Sequence, residues 1–270
     1  MWSRLGLLAV LIATAALAGC AQRPAQHSDQ QADQQADQHS DQQTDRPTAP
    51  ATAATLPGEH LNTPYRFGDV QAKAPSIVAG KAPLIRRIAT DKRYVFLTID
   101  DGEVQDPGAE GLIERSGARP TLFLAHKFVT GHTDYFRAIQ DHAGADVEDH
   151  TINHPNLRGR PYTLQRKEIC DDADAEAAEF GRRPTLFRPP FGNYDGNTQR
   201  AAADCGMRAV VLWTAAVNDG VVQFQQGDHL NPGDIVLMHF RTTFAADYAA
   251  FVERARRDAL TPVPLADFLG

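Results

Sequence analysis

Several common features are absent from this 270-residue chain, and each absence narrows the possible functions. There is no long basic stretch and the formal net charge is -7, so a nucleic-acid partner is not expected. The apolar run at residues 5–18 is too short for a comfortable transmembrane helix. The His-Thr-Ile-Asn-His sequence at 150–154 lacks a glutamate after its first histidine, which argues against the His-Glu-x-x-His proteases.

The N-terminal apolar run has the composition of a secretory signal, because Arg4 precedes it and Leu-Ala-Gly-Cys ends it at Cys20. This ending resembles the bacterial lipobox, in which the cysteine is lipidated. We therefore expect a lipoprotein signal peptide at 1–19 and an extracytoplasmic protein anchored to the bacterial cell membrane through Cys20. An ordinary signal peptide followed by secretion is the alternative. Residues 20–57 are low in complexity and rich in Gln, Asp and Ala, which predicts a disordered tether.

Only three cysteines occur in the chain. If Cys20 carries lipid, Cys170 and Cys205 remain as an even pair in an oxidising compartment. This situation favours a disulfide between them, and two buried free thiols are the alternative.

Beyond a lead-in segment at 58–92, apolar runs alternate with helical patterns. Strands separated by helices predict βαβ units, and we expect one α/β domain over 93–270, a distorted parallel (β/α) barrel of about seven strands. In such barrels the active site lies at the C-terminal ends of the strands. The expected strands are 94–99, 121–124, 144–147, 185–187, 209–213 and 234–238, and the expected helices are 108–116, 133–143, 162–180, 196–204 and 245–259.

The chemistry-bearing residues follow these predicted strands. Asp100 and Asp101 end an apolar run, and His150 and His154 lie four residues apart. One carboxylate and two imidazoles form a mixed oxygen–nitrogen metal site with positions left for water. If the segment is helical, both imidazoles share one face. Each motif alone also has a structural explanation, such as a turn at Asp101-Gly102.

Taken in chain order, these motifs resemble those of polysaccharide deacetylases of carbohydrate esterase family 4, the NodB-homology domain. Thr-Ile-Asp-Asp-Gly at 98–102 resembles the first motif and His-Thr-Ile-Asn-His at 150–154 matches the second. Arg-Pro-Pro-Phe-Gly at 188–192 is similar to the third, and Leu-Met-His at 237–239 to the last. The resemblance covers about residues 93–266 and implies a NodB-like fold.

The resemblance also implies a role for each matched residue. Asp101, His150 and His154 would bind a divalent metal, most often zinc, with cobalt, manganese or nickel as alternatives. Asp100 would be the general base that deprotonates water, and His239 would protonate the leaving amine.

Further implied roles concern residues around that centre. Arg188 would pair with Asp100, and the N–H of Phe191 would stabilise the oxyanion. The fourth motif of the family usually carries two carboxylates and a tryptophan, whereas here only Asp219, in the segment that begins at Trp213, stands in a matching place. Asp219 is expected to tune His239, and Trp213 to line the substrate groove.

The sequence thus predicts a hydrolase, a monomer, that removes N-acetyl groups from a glycan, with peptidoglycan as the expected substrate of a tethered enzyme. Chitin-type oligomers and O-acetyl esters are alternative substrates. Two other classes stay open. One is a non-catalytic glycan-binding lipoprotein, favoured by the altered fourth motif. The other is a mononuclear iron oxygenase, because two histidines and a carboxylate also suit iron(II).

Overall fold

The computed structural model describes residues 65–270. The predicted signal peptide, the lipidation site Cys20, the tether and residues 58–64 of the lead-in segment lie outside the described residues. Within the described part, no helix combines the length and apolarity needed to cross a bilayer.

The strands form one extended sheet with an open edge at each end of its path. Its order is β1-β6-β5-β4-β3-β2-β9-β7-β8, with β10 paired to β2, and every pairing is parallel except β7 with β8. The predicted parallel α/β class is confirmed, and within residues 65–270 the sheet has the form of a half-barrel. The strands are β1 Leu84–Ile85, β2 Tyr94–Asp101, β3 Thr121–Leu124, β4 Asp146–Asp149, β5 Leu186–Phe187, β6 Ala209–Val211, β7 Ala215–Asn218, β8 Val221–Phe224, β9 Ile235–His239 and β10 Thr261–Pro262.

The helices connect these strands and cover the sheet. They are α1 Ala109–Ser116, α2 His126–Val129, α3 Thr133–Ala143, α4 Tyr162–Phe180, α5 Gly196–Asp204, α6 Phe244–Arg257 and α7 Ala266–Leu269, with a 3-10 turn at Pro190–Gly192. The five predicted helices agree with α1, α3, α4, α5 and α6 to within two residues at each end. Glycines in a left-handed conformation end three of them, at Gly117, Gly144 and Gly181, as helix-ending glycines do.

Strand β2 lies at the centre of the fold and explains why the site forms where it does. Six of its eight residues are buried, from Val95 to Asp100, as is typical of a central strand of a parallel sheet. The strand pairs with β3 on one side and with β9 on the other. Its apolar residues contribute to two hydrophobic clusters. Its last two residues, Asp100 and Asp101, lie at the C-terminal edge of the sheet.

The lead-in segment belongs partly to this domain. The predicted domain starts at residue 93, whereas β1 at Leu84–Ile85 already pairs with β6. Tyr65 also donates a hydrogen bond of 2.8 Å from its hydroxyl to Asp267 near the C-terminus. A run of only two strand residues is too short to give a periodic signal, so the sequence does not predict β1.

Cys170 in α4 and Cys205 at the end of α5 form a disulfide. The even pair predicted from the cysteine count is therefore bonded. The cross-link joins two helices that pack against each other over a shared apolar cluster containing Ile169, Ala173 and Ala201.

We expect the double variant Cys170→Ser/Cys205→Ser to lose about 4 kcal/mol of unfolding free energy. The closed loop spans a sequence separation of 35 residues, and loop closure restricts the unfolded chain by about that amount. Urea unfolding of both proteins, with and without reductant, measures the effect. Reductant should destabilise the wild type and leave the double variant unchanged. Equal stability of the two oxidised proteins would contradict the expectation.

Candidate active site

The C-terminal ends of neighbouring parallel strands bring the predicted site residues to one edge of the sheet. In the register of β2 with β9, Asp100 lies opposite His239. Strand β4 ends at Asp149, which lies opposite Phe187 of β5. The residues that follow these two strands, His150 and Arg188, therefore leave the sheet side by side. Sequence positions about 140 residues apart thus meet in one place.

Three predicted ligand residues converge at this edge. Asp101 Oδ1 lies 3.1 Å from His154 Nε2 and 3.4 Å from His150 Nε2. Among residues 65–270 these three form the one group of His, Cys, Asp and Glu side chains whose ligand atoms all lie within 4.8 Å of one another. A carboxylate with two imidazole nitrogens suits a divalent transition metal.

A backbone carbonyl group fixes the orientation of the His150 ring. Its Nδ1 lies 2.7 Å from the carbonyl oxygen of Arg188, so Nδ1–H donates to that carbonyl and Nε2 faces Asp101. Metal-binding histidines usually have such a partner on the second nitrogen, because it sets the tautomer and the ring orientation. The donor set therefore fits a metal.

The segment 150–154 is not helical, contrary to one reading of its four-residue spacing. Thr151 and His154 have φ values of 76° and 54°, in the left-handed region. Both imidazoles nevertheless face Asp101, with ring centroids 4.9 Å apart. The loop is held because each of its five backbone N–H groups has an acceptor. In chain order these acceptors are Asp172 Oδ2, Asp149 Oδ1, the Glu168 carbonyl, Glu168 Oε2 and Thr151 Oγ1.

Helix α4 supplies two of the side chains that hold this loop. Glu168 accepts from Asn153, and Asp172 accepts from the N–H groups of His150 and His126. Burial raises the pKa of Asp172 to about 7 although these hydrogen bonds lower it. Burial and the neighbouring Asp172 together raise the pKa of Asp149 well above its usual range. Since two adjacent carboxylates resist ionising together, this pair holds at least one proton near neutral pH.

Asp100 lies beside the metal ligands and is fully enclosed. Arg188 Nη1 donates to Asp100 Oδ1 over 2.6 Å and to Thr98 Oγ1 over 2.7 Å. The guanidinium is itself completely buried and lies over the ring of Phe123, with 4.3 Å from its central carbon to the ring centroid. The other oxygen of Asp100 lies 3.8 Å from His150 Nε2 and is the one nearer the cluster.

The two adjacent aspartates have opposite pKa shifts. Burial raises the pKa of Asp100, and the nearby Arg188 reduces this effect without cancelling it. Burial acts in the same direction on Asp101, but hydrogen bonds from His150 and His154 outweigh it and hold its pKa well below the usual range. Asp101 therefore has the character of a permanent carboxylate ligand, and Asp100 that of a proton acceptor.

The two aspartates, together with His150 and His154, line an open pocket with an empty volume of about 360 Å³, open solvent included. Phe191 and Gly192 form one wall, and Phe191 has a φ of 60° with its ring 4.8 Å from that of His154. Of the seven non-glycine residues with positive φ in the described chain, four lie in this site, at Asp101, Thr151, His154 and Phe191. Backbone conformations of this kind cost free energy and persist where the surrounding structure fixes them.

Comparison with known proteins identifies the family of this chain. The polysaccharide deacetylase family model matches residues 87–210. An uncharacterised protein of Streptomyces coelicolor is 41% identical over 206 residues, which cover 74% of this chain and 80% of that protein. The chain belongs to the polysaccharide deacetylase family. The matched range includes the three predicted metal ligands and also Asp100 and Arg188. It ends before Trp213 and His239.

One further relative and one solved structure extend this comparison of the deacetylase domain. A peptidoglycan-N-acetylglucosamine deacetylase of Listeria monocytogenes is 26% identical over 176 residues, covering 62% of this chain but only 36% of that protein. A crystal structure of a pseudoenzyme of carbohydrate esterase family 4 from Bacillus anthracis superposes with a TM-score of 0.59 at 21% identity, over 69% of each chain. This structural likeness agrees with the NodB-like fold that the motifs implied.

The predicted role of Asp219 in this deacetylase domain needs correction. Asp219 and Gly220 have φ values of 51° and 73° and connect β7 to β8, which pair antiparallel up to Asn218 and Val221. A two-residue Asp-Gly connection with both φ values positive is the type I′ hairpin turn. The side chain is exposed and is not among the pocket-lining residues, so Asp219 is a turn residue rather than a partner of His239.

His239 lines the pocket, and its surroundings differ from the predicted ones. Burial lowers the pKa of His239 to about 3, and the positive charge of Arg241 acts in the same direction. Its Nδ1 is buried and has no hydrogen-bond partner within residues 65–270. Trp213 lies in the pocket wall, 8% exposed, with its ring 5.6 Å from the Arg188 guanidinium carbon.

Several site residues of this deacetylase domain are not predicted by the sequence. Thr98 accepts a hydrogen bond from Arg188. The carboxylates of Asp172 and Glu168 hold the histidine loop, and Arg241 lines the pocket. The sequence carries no signal for Asp172. Helix α4 buries polar residues at 165, 172 and 176 among its apolar ones, and from the sequence alone these polar positions would be assigned to a solvent-exposed face.

Proposed function

We propose that this protein is a metal-dependent N-deacetylase that acts on an N-acetylated glycan, with peptidoglycan as its substrate. One observation carries the proposal: a buried carboxylate, Asp100, held by Arg188, lies next to the Asp101, His150 and His154 cluster. The family's established activity and the Listeria relative, a peptidoglycan deacetylase by name, support the reaction and the substrate. Zinc is the proposed ion, with cobalt, manganese or nickel as alternatives.

In the proposed reaction, water attacks the acetamide carbonyl and the carbon–nitrogen bond breaks, giving acetate and a free amine. A divalent ion held by Asp101, His150 and His154 would polarise that carbonyl and lower the pKa of water. Asp100 accepts the proton of the attacking water, and Arg188 keeps its carboxylate in place. We propose that the backbone N–H of Phe191, a residue of the pocket wall, stabilises the oxyanion.

His239 completes the proposed reaction. Because burial lowers its pKa to about 3, its imidazole is neutral in the resting site. Negative charge that builds up on the substrate favours protonation of a nearby imidazole. We propose that His239 gains a proton from solvent at that stage and passes it to the leaving nitrogen, and that Asp100 returns the proton of the attacking water to solvent when acetate leaves.

The location proposed for the protein is the outer side of the bacterial cell membrane, held through lipid on Cys20. The support is the sequence at 1–20 together with a disulfide, which forms in oxidising compartments. Such a tethered enzyme reaches only nearby polymer, and this is the argument for peptidoglycan over soluble chitin-type oligomers. Metabolic labelling with a fatty acid, comparing the wild type with Cys20→Ala, tests the anchor. Equal labelling would contradict it.

A second candidate is a glycan-binding protein without catalysis. The observations that favour it are the unpartnered Nδ1 of His239, among residues 65–270, and the displaced Asp219. The likeness to a pseudoenzyme is a precedent for loss of activity on this fold.

We expect the purified protein to release acetate from peptidoglycan fragments and to lose this activity with a chelator. Adding back zinc should restore it, which distinguishes metal loss from unfolding. Chitin-type oligomers and O-acetylated glycans, assayed in parallel, define the substrate. Binding to glycan without acetate release in any metal-loaded sample would favour the second candidate and overturn the first.

A further inference from the structure

Arg241 lies in the pocket, two residues beyond His239, in a part of the chain that the family match does not reach. Its position is fixed by the residue before it. Phe240 is fully buried and stacks on Phe244 with 5.4 Å between ring centroids, and its N–H donates to the carbonyl of Asp100. The backbone that carries Arg241 is therefore anchored to β2, the strand that supplies the catalytic carboxylates.

The guanidinium of Arg241 has unused hydrogen-bonding capacity. Its Nη1 donates a long hydrogen bond of 3.4 Å to Asn218 Oδ1 in the β7–β8 hairpin. Within residues 65–270 no carboxylate lies within ion-pair distance of this side chain. Burial raises the pKa of Asp247 and the charge of Arg241 acts to lower it, and this carboxylate already accepts hydrogen bonds from Gly220 and Thr243. Since a guanidinium has five N–H donors, most remain available to a ligand.

The charge of the pocket also favours an anion. Asp100 and Arg188 neutralise each other, and a divalent ion on Asp101 would leave one positive charge. Arg241 adds a second positive charge at the same pocket. A neutral N-acetylated sugar makes no use of this charge, whereas a carboxylate near the acetamide would pair with a planar guanidinium through two parallel hydrogen bonds.

We infer that Arg241 is a specificity residue that binds a carboxylate of the substrate, so that the enzyme prefers anionic N-acetylated glycans. The inference rests on the proposed deacetylase function. Two substrate structures present this chemistry: a lactyl ether on the acetylated sugar itself, and a uronic acid as the neighbouring sugar. Both place a carboxylate within one sugar of the acetamide.

The test compares substrates that differ only in this charge. Each of the two substrate types is prepared as the free acid and as the carboxyl amide, and acetate release gives kcat/KM for wild type, Arg241→Gln and Arg241→Lys. The measured quantity is the ratio of kcat/KM for acid over amide. Arg115→Gln is the matched control, because Arg115 is exposed on α1 and lies outside the pocket.

For one of the two substrate types, we expect the wild type to prefer the acid by about tenfold or more, as for a hydrogen-bonded charge pair. Arg241→Gln should bring the ratio close to one, Arg241→Lys should give an intermediate ratio, and Arg115→Gln should keep the wild-type ratio. Should Arg241→Gln fail to fold, the Lys variant alone decides, because loss of the two-bond geometry must reduce the ratio.

Two results would overturn the inference while leaving the deacetylase function intact. One is equal wild-type activity on acid and amide, and the other is an unchanged ratio in the Arg241 variants. Absence of acetate from every substrate, neutral oligomers included, with zinc bound, would instead overturn the proposed function itself. The lactyl and uronic acid arms show which source of the carboxylate is recognised.

Discussion

Asp100→Asn is expected to release acetate about 10²- to 10⁴-fold more slowly than the wild type while binding metal as the wild type does. The amide oxygen still accepts the hydrogen bond from Arg188 Nη1, so the geometry is kept. What is lost is the ability to take a proton from water. The proposed ligands Asp101, His150 and His154 are not altered, so the metal content should be unchanged.

Acetate release and metal content are measured on the same protein samples. Asp134→Asn serves as the matched control, because this substitution removes the same negative charge from a position on α3 that lies outside the pocket. A variant with wild-type turnover would show that Asp100 is not the base. A variant that loses its metal would show that Asp100 is instead a ligand.

Arg188→Met is expected to lower the unfolding free energy by about 3–5 kcal/mol, because removing one partner of a buried ion pair leaves the other charge uncompensated. That remaining partner, the Asp100 carboxylate, has a side chain only 3% exposed. The substitution also leaves Thr98 Oγ1 without its guanidinium donor. Urea unfolding measures the loss, and activity should fall as well because Asp100 is no longer held.

A double variant separates the buried charge from lost packing. Arg188→Met combined with Asp100→Asn has no unpaired carboxylate, so it should be more stable than Arg188→Met alone. Arg257→Met is the control for arginine removal, because its ion pair with Glu253 is exposed, with 64% and 62% of the side chains accessible, and such pairs contribute little. Equal losses for Arg188→Met and the double variant would contradict the role given to the buried charge.

The long helices and the convergence of Asp101, His150 and His154 are predictable from the sequence for the same reason: their signals are local. Helix α4 is predicted at 162–180 and observed at Tyr162–Phe180, with a glycine directly after it. Asp101 and His150 each lie at the end of a strand of a parallel sheet or directly after one. Since such strands end at one edge, adjacency in space follows from the order of elements.

The features that the sequence does not predict depend on tertiary contacts or on competing local signals. Asp172 is polar and lies on a helix, and nothing local shows that it is buried against the histidine loop. Asp219 fits the place of a catalytic motif, although Asp-Gly between two short apolar segments is itself a hairpin signal. The helical alternative for 150–154 is wrong because side-chain acceptors offer the backbone a different set of hydrogen bonds.

Helix α4 carries both a cysteine of the disulfide and two side chains that hold the histidine loop of the proposed metal site. Cys170 lies between Glu168 and Asp172 in this helix, so the cross-link to Cys205 and the acceptors of the histidine loop share about one helical turn. We expect a displacement of that turn to shift both carboxylates and, through them, the loop that carries both imidazoles. The affinity for the proposed ion is therefore expected to change when the disulfide is reduced, although neither sulfur belongs to the Asp101, His150 and His154 cluster.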